Sequence, residues 1–181
     1  MLTLRTLFPH RFARDERGVS AIEFALILPL MLTLYLGCVE ISDGVAADRK
    51  VSLTAATVAN LVAQSTTISA SDMSNILDAA AAIMQPYSTN ALQVTVSCLN
   101  IDANRNVTVK WSATRNGSGL SGAVSIPTDL QVPNTQLIYT TASYGYTPVI
   151  GYTFTGTLTL TDEMYMMPRI SPPTYGTTAC G

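Results

Sequence analysis

Apolar residues follow three successive patterns along this chain. Between Val19 and Val39 the run VSAIEFALILPLMLTLYLGCV holds one charge, Glu23, and leaves no continuous polar face on a helix. Its 21 residues, at about 1.5 Å each, are enough to cross the hydrocarbon of a bilayer. The second pattern is a stripe. Val51, Ala55, Val58 and Val62 recur at i, i+4, i+7 and i+11, with Ser52, Thr54, Thr57, Asn60 and Gln64 elsewhere round the helix. Pro29 lacks an N–H and frees the Ala25 carbonyl, so a bend is expected there rather than a break. Together these residues predict one kinked helix of roughly 45 residues that leaves the membrane and offers a single apolar face.

A second helix is predicted from the capping box formed by Ser69 and Asp72. Met73, Ile76, Leu77, Ala80, Ile83 and Met84 follow at helical spacing, and Pro86 ends it. From Leu92 the third pattern begins, with a period of two: Leu92, Val94, Val96 and Cys98 alternate with polar residues. Asp102 to Asn106 make a turn, and Val107, Val109, Trp111 and Ala113 return with the same period, which predicts a β-hairpin. A loop with Gly117, Gly119 and Gly122 follows, then a Pro-rich stretch, then strand candidates at Gln136 to Ser143 and Thr157 to Thr161. The predicted class is α+β: a long N-terminal transmembrane helix continuing into an exported domain of helices packed on an antiparallel sheet, the pilin-like arrangement.

Composition narrows the options. The 181 residues suit one domain with an appendage, and 12% charged against 48% hydrophobic excludes a disordered tail and a highly soluble cytosolic protein. With 10 Lys and Arg against 12 Asp and Glu there is no basic surface of the kind nucleic acid requires, so nucleic-acid binding is excluded. The charges are unevenly placed. Arg5, Arg11, Arg14 and Arg17 outweigh Asp15 and Glu16 to give residues 1–18 a net +2, while the remainder is −4. Positive charge stays inside. Residues 1–18 are therefore expected as a cytoplasmic basic leader, 19–39 as the transmembrane helix and 40–181, opening with Glu40 and Asp43, as the exported α+β domain.

Three readings of the apolar run compete. A cleaved secretory signal fits poorly: the leader is acidic in part, the run exceeds the roughly 7 to 15 residues of an h-region, and no A-x-A site follows. A lipoprotein signal would need an aliphatic residue three positions before Cys38, where Tyr35 stands. A plain uncut signal anchor explains everything except Glu23. A carboxylate costs roughly 2.5 to 3.5 kcal/mol near the bilayer centre and less near the edge, so Glu23 either snorkels to the headgroups or has a purpose.

The context Arg17-Gly18-Val19-Ser20-Ala21-Ile22-Glu23-Phe24 resembles the processing site of type IV prepilins and pseudopilins, which a membrane aspartyl prepilin peptidase cuts after the Gly. The resemblance implies a cut between Gly18 and Val19. It further implies that Glu23, fifth in the mature chain, faces the new N-terminal amine of a neighbouring subunit, so that two membrane-costly charges become a pair. With Gly37 and Val39-Glu40-Ile41, the run is similar to the N-terminus of TadE-like proteins, minor pseudopilins of the tight-adherence (Tad, Flp pilus) system. Leu158 to Arg169 and Cys180 resemble that family's C-terminal strand and terminal Cys, with Met167 departing where an Arg is common. The function implied is structural: assembly of Flp-type pili for adhesion, from the bacterial inner membrane, with the head in the periplasm. The implied partners are the prepilin peptidase, other Tad pilins and pseudopilins, the inner-membrane assembly platform and the lipid bilayer. The alternatives are an uncleaved, signal-anchored periplasmic binding module and a cleaved or lipidated secreted protein.

The cysteines divide by compartment. Cys38 closes the apolar run, whereas Cys98 and Cys180 lie in the exported part, where an oxidising milieu favours one disulfide between them over two free thiols. Closing a loop of about 80 residues would stabilise the fold by roughly 4 to 5 kcal/mol in the chain-entropy model.

Chemistry is sparse. His10 is the single histidine, no metal-ligand spacing or nucleophile motif occurs, and neither a cofactor nor an enzymatic activity is expected. Asp162-Glu163 is an adjacent acidic pair whose side chains would diverge on a strand, and a solvated turn or strand end accounts for it better than catalysis. Tyr139, Tyr144, Tyr146, Tyr152 and Phe154 offer a partner surface or core filling, with about half expected in the core.

Overall fold

The computed structural model describes residues 18–149 and 156–181, so residues 1–17 of the basic leader, Tyr152 and Phe154 lie outside the described residues. The chain opens with α1 (Val19–Ala63), a single helix of 45 residues that runs through Pro29. A short strand β1 (Thr67–Ile68) leads to α2 (Ala70–Ile83). The capping box forms: Ser69 Oγ accepts from the Asp72 N–H at 3.2 Å and Asp72 Oδ2 from the Ser69 N–H at 3.0 Å. No basic residue occupies the last turn of α2. Lys50 of α1 supplies the missing cation, its Nζ donating to the Ile83 carbonyl at 3.0 Å and tying the two helices together.

Strands β2 (Leu92–Ile101), β3 (Val107–Arg115), β4 (Thr135–Tyr146) and β5 (Leu158–Met166) form one antiparallel sheet in the order β3-β2-β4-β5. The hairpin differs from its expected alternation in one respect. Cys98 pairs with Trp111 but Leu99 pairs with Val109, so Lys110 is an extra residue and the strand bulges. The bulge reverses the faces. Trp111 and Ala113 join the core under the helices, whereas Val107 and Val109 pack on the other side with Leu99, Ile101, Leu137 and Tyr139. That second side is covered by Leu120, Val124, Ile126 and Leu130 of the connection between β3 and β4. Asp162 and Glu163 are also displaced from the expected strand end: they pair with Ala142 and Thr141 in the middle of β5.

The main core lies between the sheet and the helices, where Val51, Ala55, Val58 and Val62 are fully buried. Burial of each of these valine side chains stabilises by about 1.5 to 3 kcal/mol. The C-terminal segment returns across this layer. The Arg169 N–H donates to the Ala63 carbonyl at 2.8 Å, β6 (Thr174–Tyr175) pairs in parallel with β1, and Trp111 Nε1 donates to the Pro173 carbonyl at 3.2 Å. Cys98 and Cys180, both buried, are joined in a disulfide with Cα atoms 5.7 Å apart across 82 residues.

Candidate functional site

From Ala47 onward α1 buries one stripe against the sheet, but no residue from Val19 to Ala46 is buried. Phe24, Leu26, Leu30, Leu34 and Tyr35 are exposed on successive turns, Leu26 to 76%. A helix apolar on all sides has its partner outside its own domain. Among the described residues α1 is the one helix long and apolar enough to cross a membrane, and none of its most apolar 18-residue window is buried. Two hydroxyls of its exposed part bond back to the helix. Thr33 Oγ1 lies 2.7 Å from the Pro29 carbonyl and 3.0 Å from that of Leu30, and Ser42 Oγ donates to the Cys38 carbonyl at 2.8 Å. Such back-bonding lets a hydroxyl sit in hydrocarbon without an orphaned donor.

Gly18 occupies the N-cap position with no side-chain cap, and its carbonyl accepts from the Ile22 N–H at 3.2 Å. Gly18 and Val19 are exposed, so the peptide bond between them lies at the open end of the helix. Glu23, also exposed, lies one turn beyond Val19 on the same side of the helix. Pro29 follows within the apolar half. These residues are contiguous on one element, whereas Cys98 and Cys180 lie in the head, where they bind the C-terminal segment to β2.

The junction between the exposed and packed parts of α1 is held by Asp43. Tyr87 Oη donates to Asp43 Oδ1 at 2.7 Å and lies 3.1 Å from the Asp43 carbonyl, and Tyr146 Oη donates to Asp43 Oδ2 at 3.3 Å. Tyr87 also meets the rings of Tyr144 and Tyr146 at 6.2 and 6.4 Å. Burial, and then the hydrogen bond to Asp43, pushes the Tyr87 phenol up to about 12. Sequence reasoning did not single out this neck. Asp43 reads as a flanking charge, and its partners stand 44 and 103 residues away. Tyr139, Tyr144 and Tyr146 are all buried.

Residues 18–60 match the family model of TadE-like proteins. Over those residues the chain is similar to TadE-like proteins. The family is associated with the Tad pilus. The match begins at Gly18 and ends within the last turn of α1, so it covers the helix and not the sheet; the likeness of Leu158–Arg169 and Cys180 to TadE-like C-termini lies beyond it. No curated protein and no solved structure matches the chain. Among the described residues no group of three or more His, Cys, Asp or Glu side chains converges as metal ligands would.

Proposed function

We propose that this TadE-like chain is a minor pseudopilin-like structural protein of Tad (Flp) pilus assembly, cut by the prepilin peptidase between Gly18 and Val19. Val19 to Val39 then spans the bacterial inner membrane once, with residues 1–18 in the cytoplasm before cleavage and the head in the periplasm. The observation that carries this reading is the TadE-like helix itself: it starts at Gly18-Val19, bears Glu23 as its fifth residue, and leaves its first 28 residues, Val19 to Ala46, without a buried position.

The mechanism follows from charge in oil. Cleavage creates an amine at Val19, and that amine and the Glu23 carboxylate are each costly in hydrocarbon. When the amine of one subunit meets the Glu23 of another, each charge gains its counter-ion, and pairing favours lateral association over an isolated helix. Glu23 is then the assembly residue. The other Tad pilins and the inner-membrane assembly platform are the partners that meet this helix.

N-terminal sequencing of the membrane-bound protein, from cells with and without the prepilin peptidase, tests the proposal. A chain starting at Val19 only where the peptidase is present supports it. A chain that keeps Met1 in both makes this an uncut anchor, and one starting at or beyond Cys38 makes it a secreted or lipidated protein.

A further inference from the structure

The end of the head nearest the apolar helix carries its own exposed apolar surface. Val149, just past β4, lines the same cleft as Tyr35, Cys38 and Val39, the last turn of the apolar run. Leu158, the first residue of β5, lines a neighbouring cleft with Ile41 and Val45. Val149 is 88% exposed, and Ile41 and Leu158 are exposed as well. From Leu130 to Thr161 the sequence has no charged residue, and among the described residues the charges lining the two clefts are the α1 carboxylates Glu40, Asp43 and Asp48. A surface with acids and no cation is not suited to hold anionic headgroups by charge. Its exposed apolar residues are suited to the apolar edge of the interfacial zone, where Tyr35, itself exposed, matches the tyrosines enriched at that depth.

Level and rigidity decide between lipid and water. A run of 21 residues at about 1.5 Å each is used up in crossing a hydrocarbon core of about 30 Å, so Val39 lies at the outer surface and Val149, across the cleft, lies level with it. The neck does not let this end swing away, because Asp43 is bonded both to Tyr146 at the end of β4 and to Tyr87 before β2. We propose that the head rests in the interfacial zone of the bilayer through Val149, just past β4, and Leu158, at the start of β5, both against lipid. The head then has two membrane contacts and a fixed tilt. This rests on the reading of Val19–Val39 as the spanning segment.

The test uses the full chain in phosphatidylcholine vesicles, with Cys38→Ser removing the free thiol. A spin label is placed in turn at Val149→Cys, Leu158→Cys, Leu28→Cys in mid-helix and Asn104→Cys in the β2–β3 turn at the far end of the sheet. Relative accessibility to oxygen and to a water-soluble nickel complex reports depth. At Val149 and Leu158 the oxygen-to-nickel ratio is expected to be several times that at Asn104, approaching Leu28, and unchanged by added salt or by dilution of protein in lipid. A water-like Val149 beside a lipid-like Leu28 overturns this inference and spares the spanning helix. Water-like labels at both sites overturn the two together. Protection at Val149 that vanishes on dilution assigns the surface to a second copy of the chain, and so also overturns it.

Discussion

Leu26 and Val58 are aliphatic residues on one continuous helix, yet Leu26 is 76% exposed and Val58 is fully buried. The backbone around them is the same; the distribution of their neighbours is not. Around Val58 the apolar residues form a stripe and the chain's own sheet covers it. Around Leu26 they fill the whole circumference, more than any single face of the head could cover, and nothing among the described residues does. The angular spread of apolar side chains therefore tells which partner a helix expects: a narrow stripe is answered within the fold, a full circle by a different solvent or by other subunits.

Glu23 gives the largest predicted effect. Glu23→Ala removes the one charge of the apolar run Val19–Val39 without touching the packed half. Pilus counts should fall to near the level of a strain lacking the gene, while processing stays intact or only slightly reduced. The head should keep its unfolding midpoint, read by the fluorescence of Trp111, the one tryptophan. Normal piliation in Glu23→Ala would remove the assembly role. Next in size is a matched pair of aspartates. Val58→Asp leaves a carboxylate unpaired in the core and should destabilise the head by about 3 to 5 kcal/mol, a large share of the roughly 5 to 15 kcal/mol by which a domain is stable. Leu26→Asp should leave the Trp111 transition within about 0.5 kcal/mol of the parent and instead weaken recovery in the membrane fraction. Equal losses of head stability from both would show that the halves are not independent.

How much of this was legible in the sequence depends on how local each signal is. The long helix, the Ser69–Asp72 box and the alternation from Leu92 to Cys98 are carried by neighbours within a few residues, and each forms at its expected place. β4 and β5 extend beyond their expected spans, because Tyr144, Tyr146, Met164 and Met166 continue the inward alternation past the polar residues that suggested an end. The bulge at Lys110 had no signal beyond one charged residue in an apolar alternation. The cover over the second face of the sheet had none: Leu120, Val124, Ile126 and Leu130 keep no period, because most of the connection they belong to is neither helix nor strand. The neck was least legible, since Asp43 meets Tyr87 and Tyr146 only once the sheet and α1 have packed.

The neck is also where the two halves can be uncoupled with the smallest change. Tyr87→Phe deletes one hydroxyl and its hydrogen bonds to Asp43, and should cost the head about 1 to 2 kcal/mol at pH 7. The tyrosine's raised titration gives this loss a pH signature. A phenol pushed from 10.0 to about 12 by burial and by Asp43 is held neutral in the fold. Its contribution is complete below pH 10, declines as the unfolded chain ionises, and is gone once the pH passes about 12. Tyr144 and Tyr146 are shifted upward in the same sense, first by burial and then by the Asp43 charge, so alkaline loss will be reduced in Tyr87→Phe, not abolished. The gap in unfolding midpoint between parent and Tyr87→Phe should therefore narrow from pH 8 to pH 11. A gap that stays constant across that range would mean that the Tyr87 ring, through its packing on Tyr144 and Tyr146, and not its hydroxyl on Asp43, holds the neck.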